Sequence, residues 1–162
     1  MARTRYWLMK SEPEDFSIDD LERVGREPWS GVRNYQARNF MRQMQPGDGV
    51  LFYHSSTAVP GVAGIARVAG DAYPDPTQFD PRSDYHDPKS TREAPRWSLV
   101  DVEFERKLAR LIALDEIRAL EEKLDGFALL QRGTRLSVLP VTAAQWKLIL
   151  ALEKKKPRKE SA

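Results

Sequence analysis

Cysteine is absent from the chain. Its absence excludes disulfides, thiolate metal sites and thiol nucleophiles together. No apolar run approaches the roughly 20 residues that a membrane-spanning helix needs. The opening MARTRYWLMK has no apolar signal core, so the expectation is a cytoplasmic protein with no membrane partner. Histidine is scarce: His54 and His86 are the only two. A Ser-His-acid set is arithmetically possible, but no nucleophile-elbow motif accompanies it. A glycine-rich phosphate loop is also lacking, since Gly47 and Gly49 fall in a turn and Gly61 and Gly64 inside a strand pattern. Asp84, His86 and Asp87 group potential ligands in a proline-rich stretch, yet without convergent spacing they read better as a solvated loop. No cofactor and no metal are expected.

A large charge of one sign is lacking too. The 162 residues carry 26 Lys+Arg against 24 Asp+Glu, a net of +2. The end of the chain concentrates Lys154, Lys155, Lys156, Arg158 and Lys159 against Glu160. Removing those five basic residues and one acid leaves 21 and 23, so the body is net −2. A protein that grips duplex by neutralising phosphates wants a basic surface. Here a local patch or the tail would have to supply it. The plainer reading of 154–162 is a solvated, disordered end. Residues 1–153 suit a single domain, and at 41% hydrophobic the chain can bury a real core.

What is present reads as α+β. Residues 5–10 form an aromatic-rich strand stopped by Ser-Glu-Pro. Ser17 caps a short helix through Leu21 and Val24 that Gly25 ends. Asn34 caps a second helix with Ala37, Phe40, Met41 and Met44 on one face. Strands are expected over 50–55, 61–68 and 96–104, and helices over 113–124 and 142–153, the last opened by a Thr-x-x-Gln capping box. Residues 71–95 hold five prolines and little period, so they read as a long loop, functional or disordered. Mixed strands with helices between them suggest an antiparallel or barrel-like sheet.

The stretch WSGVRNYQARN, residues 29–39, gathers two aromatics, two arginines, two asparagines and a glutamine around one glycine. Trp97 has the opposite parity to Val100, Val102 and Phe104 along its strand. It covers a barrel end, packs on another element, or lines a pocket. Trp29 and Trp97 lie in polar contexts, and indoles beside Asn34, Ser11, His54 and Arg135 would make a flat slot with hydrogen-bonding edges. Proteins read an extruded nucleobase in that way. Each residue also has a structural role open to it: Trp29 as a core plug, Asn34 as a helix cap, His54 as a satisfied buried histidine, Ser11 as a strand terminator, Tyr35 in helix packing, Arg135 in a surface pair. An enzyme acting on a nucleotide, with His54 as acid or base, and a protein-interaction module are the competing classes.

Residues 6–13 (YWLMKSEP), 29–39, 47–48, 52–55 (FYHS), 61–66 (GVAGIA), 95–97 (PRW) and 135–142 (RLSVLPVT) together resemble the EVE domain family, over about 4–153. The resemblance implies a PUA-like fold, a curved mixed sheet or barrel with flanking helices. It implies a non-catalytic reader of modified nucleobases, modified cytosine in DNA more than RNA. It places a ligand pocket near Lys10, Ser11, Trp29, Gly31, Asn34, Tyr35, His54, Ser55, Trp97, Arg135, Leu136 and Ser137. Trp29 and Trp97 would sandwich or cap the base, and Asn34 and Ser11 would address its edge. Arg135, Lys10 and Arg33 would meet a phosphate, and Gly31 would permit close backbone approach. Bacterial relatives are linked with restriction of modified DNA, which implies a separate nuclease or other effector as partner. The chain is expected to be a monomer.

Overall fold

The computed structural model describes residues 4–155. Its strands are β1 (Tyr6–Ser11), β2 (Arg26–Pro28), β3 (Gly49–His54), β4 (Gly61–Val68), β5 (Tyr73–Pro74), β6 (Ser98–Leu99), β7 (Asp101–Ala113) and β8 (Val138–Val141). The α-helices are α1 (Ile18–Val24), α2 (Tyr35–Gln43), α3 (Leu114–Arg118) and α4 (Ala143–Ala151). Six strands form one mixed sheet in the order β2-β7-β4-β3-β1-β8, and β5 pairs with β6 apart from it. The edge strands each carry a proline, Pro28 on β2 and Pro140 on β8. A residue without an N–H is tolerated at an edge and blunts pairing with another chain. Register shifts in β3–β4 and twice in β4–β7 bend the sheet into its curl.

Alternation along the strands divides the apolar residues between two faces. Trp7, Met9, Val50, Phe52, Val102 and Val138 build one core, closed by Ile18 and Leu21 of α1 and by Ala37 and Met41 of α2. Leu8, Leu51, Tyr53, Ile65, Ile112 and Leu139 build the other, closed by Ile117 of α3 and by Trp146 and Ile149 of α4. Gly64 lets α1 approach the sheet, because a Cβ there would collide with the Ile18 side chain.

The capping residues act as the sequence suggests. Ser17 and Asp20 close a reciprocal box on α1, and Thr142 and Gln145 close one on α4. Other expectations need correction. The strand over 96–104 is two elements: β6 pairs with β5, the ladder breaks at Val100, and β7 runs on to Ala113. The opposed parity assigned to Trp97 therefore does not carry across, and Ser98, Leu99 and Val100 are all buried. The helix over 113–124 is shorter. After Arg118 the bonds tighten to three-residue spacing, Leu120 N to Ile117 O and Glu121 N to Arg118 O. This winding brings Leu124 and Phe127 into the second core. At the other end, Lys154 closes a 3₁₀ turn and the Lys155 carbonyl accepts from Arg110 Nε. The rest of the basic tail lies outside the described residues.

Candidate nucleic-acid interface

β1 and β3 are parallel neighbours, so their C-terminal ends lie side by side with Ser11 opposite His54. The Ser55 amide donates to the Ser11 carbonyl at 2.9 Å, and the Lys10 amide to the Ser137 carbonyl at 2.8 Å. Topology thus gathers Lys10, Ser11, His54, Ser55 and Ser137 at one end of the sheet. Ser11 Oγ donates to the Phe16 carbonyl at 2.5 Å, which leaves the hydroxyl its acceptor capacity. Lys10 alternates onto the Leu8 and Tyr53 face, away from Ser11 and His54. Burial pushes its ammonium below the ordinary lysine range.

His54 is held by helix α1. The Ile18 amide donates to His54 Nε2 at 3.1 Å, so the ring is neutral with its proton on Nδ1. Burial is the main cause that lowers its pKa, with Lys107 adding to it and Asp19 opposing. Phe52 meets the imidazole edge-on at 5.7 Å. A histidine so bonded has an N–H to offer and no free lone pair with which to take a proton.

Trp29 enters from the loop after β2, its amide bonded to the Val100 carbonyl at 2.9 Å. Its ring meets Phe52 edge-on at 5.6 Å and is 9% exposed, within the first core beside Val32 and Met9. Gly31 follows with φ +87°, and a Cβ there would come within 2.8 Å of the Tyr85 ring. The left-handed backbone requires glycine here, and the missing side chain lets the Tyr85 ring lie against it.

Asp75 fixes this loop, and nothing in the local sequence singled it out. Its side chain is fully buried. It accepts from the Gly31 amide at 2.8 Å, Arg33 Nη1 at 3.1 Å, and both the amide and hydroxyl of Thr77. Burial alone would raise its pKa, but the bonds from Thr77, Gly31 and Arg33 outweigh it and hold the carboxylate below its ordinary range. Arg33 spends its other N–H groups on Val32 O, Tyr85 O and Thr77 Oγ1. Its guanidinium faces the Asp75 hub and the Trp97 ring, 5.4 Å away.

Trp97 is 6% exposed and anchored throughout. Its Nε1 donates to Asp87 Oδ2 at 2.7 Å, and Gln78 bonds both its amide and its carbonyl. The long loop is therefore ordered around the buried Asp75 and Gln78, and the Trp97 bond is the leading cause that lowers the Asp87 pKa. The ring partner of Trp97 is Tyr35, stacked at 4.8 Å and 20°. The two indoles thus have different ring partners, and Tyr35 stands 51% exposed.

Asn34 accepts from the Ala37 amide through Oδ1 at 3.0 Å as the α2 cap, and its Nδ2 remains a donor. Asn34, Arg135 and Leu136 line a cleft of about 430 Å³ with Gln36 and Arg132. Leu136 also packs on the core that contains Trp29 and Val32, which joins the cleft to the sheet end. A larger groove of about 520 Å³ lies between the start of β1, Phe40 and Pro140, and none of the sequence-predicted residues lines it. The cleft is the better candidate because it gathers the side-chain donors of Asn34, Gln36, Arg132 and Arg135 beside the apolar Leu136 and Leu139.

The EVE domain pattern matches residues 5–152. Thymocyte nuclear protein 1 of Gallus gallus is 44% identical over 169 residues, covering 94% of this chain and 70% of that protein. A Pseudomonas syringae protein of known crystal structure is 53% identical with a TM-score of 0.88, covering 91% of this chain and 99% of that one. The human THYN1 protein, solved in complex with 5-methylcytosine-containing DNA, is 41% identical with a TM-score of 0.88, covering 95% of this chain and 100% of that one. A YTH domain of Zygosaccharomyces rouxii, 14% identical with a TM-score of 0.50, shares the fold alone. The α+β, PUA-like architecture agrees with the one the sequence implied.

Proposed function

The chain belongs to the EVE domain family, and from that premise we propose that it binds nucleic acid and reads a modified base, a modified cytosine in DNA, without catalysing a reaction. The observation that carries this reading is the human relative bound to 5-methylcytosine-containing DNA, alike in sequence and fold over nearly the whole chain. The local chemistry supports it. Asn34 Nδ2 and His54 Nδ1 are donors, suited to the ring nitrogen and carbonyl acceptors on a cytosine edge. Leu136 and Leu139 supply apolar surface in the cleft for the ring and a 5-substituent, and Arg135 supplies charge beside them.

The rival reading, an enzyme using His54 as general base, is disfavoured by the Ile18 amide on Nε2. Binding across single- and double-stranded DNA and RNA, with and without modified cytosines at one stated salt concentration, tests the proposal. Selective affinity for modified-cytosine DNA is expected. Equal affinity for every member would overturn it.

A further inference from the structure

Helix α2 contains no acidic residue, and its arginines Arg38 and Arg42 lie four apart on one face. Among the described residues neither is paired with a carboxylate, a trait they share with several other arginines, Arg96 and Arg135 among them; what sets them apart is that they are held side by side. Both are nevertheless held in place. Arg38 Nη1 donates to the Arg96 carbonyl at 2.8 Å and its Nη2 to Asn39 Oδ1 at 2.8 Å. Arg42 Nε donates to Ser98 Oγ at 3.0 Å, and its Nη2 reaches the same Arg96 carbonyl at 3.3 Å. Arg42 Nη1 has no acceptor among the described residues. Two guanidinium groups fixed on one carbonyl repel each other, and neutral partners leave that repulsion uncompensated.

The neighbourhood says what would compensate it. Arg38 lies over the exposed Tyr35 ring at 4.7 Å, and that ring stacks on Trp97. Tyr35 follows Asn34, which lines the cleft. At 1.5 Å per residue, Arg38 and Arg42 stand about 6 and 12 Å along the helix from Asn34. A strand rises about 3.4 Å per nucleotide, so this face spans the few nucleotides beside a base held in the cleft.

We propose that Arg38 and Arg42 form a preorganised seat for backbone phosphates flanking the read base, with Tyr35–Trp97 as its aromatic side. The proposal rests on the nucleic-acid reading above, but the seat contacts phosphate and carries no base preference.

The test is the salt dependence of binding to modified and unmodified duplex. Removing one arginine–phosphate pair should reduce the slope of log K against log salt by about 0.9. The double variant Arg38→Gln/Arg42→Gln should lower it by roughly 1.8 and leave the ratio of modified to unmodified affinity unchanged. The double lysine variant should retain the slope, which separates charge from folding. An unchanged slope in the glutamine variant would overturn the seat, and so would an equal fall in the lysine variant. A wild-type protein with no modified-base preference whose slope still falls in the glutamine variant would sink the base reading and leave the seat standing.

Discussion

The Ile18 amide and the His54 ring share one hydrogen bond that joins the first turn of α1 to the end of β3. Protonation of Nε2 would abolish it, because an imidazolium cannot accept. The folded pKa of His54 is lowered, so the stability is fully present above the unfolded value of about 6.5. It is lost as pH falls from there through the folded pKa. Thermal melts between pH 7.5 and 5 should show this loss, on the order of 1 kcal/mol. In His54→Gln, which keeps an acceptor that does not titrate, the pH dependence should be flatter. Identical profiles would remove His54 from the account.

Asp75→Asn should destabilise the fold by about 3 kcal/mol, because it leaves Arg33 beside a buried hub without its counter-charge. Urea unfolding measures this, and a domain of this size should melt roughly 6–12 °C lower. A variant as stable as the parent would mean that the hub is dispensable.

Asn34→Ser separates capping from recognition. Serine caps a helix about as well as asparagine, so the melting temperature should hold. The amide donor is lost, and affinity for a modified-cytosine oligonucleotide should fall about tenfold, the equivalent of one hydrogen bond to a buried base. Unchanged binding would restrict Asn34 to its capping role.

If Leu136 and Leu139 receive a 5-methyl group, burying that one carbon contributes about 0.8 kcal/mol. The expected preference for 5-methylcytosine over cytosine in an otherwise identical duplex is then roughly fourfold, measured by competition. A preference for the unmodified base would place the methyl elsewhere.

What the sequence disclosed divides by the range of the interaction. Ser17, Asn34 and Thr142 were legible as caps because each bonds within three residues of itself. Strand β2 and the break at Val100 were not, because their form depends on which distant strand pairs with them. Of the candidate site, Asn34, Arg135 and Leu136 do share a cleft. The commitment of Arg33 to Asp75 spans 42 positions and left no local trace. The Arg38–Arg42 spacing was visible in α2, but its meaning needed the carbonyl of Arg96 that both arginines share.

The parallel pairing of β1 with β3 also ties the candidate site to the rest of the molecule. Ser11 sits on the first strand, Trp29 and Asn34 on the crossover that such pairing requires, His54 on the third, and Ser137 just before the last. β1 must pair with both β3 and β8 before Ser11, His54 and Ser137 lie at one end of the sheet. The candidate site is therefore not a loop that could be transplanted to another scaffold. It is a property of the curled sheet, and on the reading proposed above a specificity could be re-aimed within it but not excised from it.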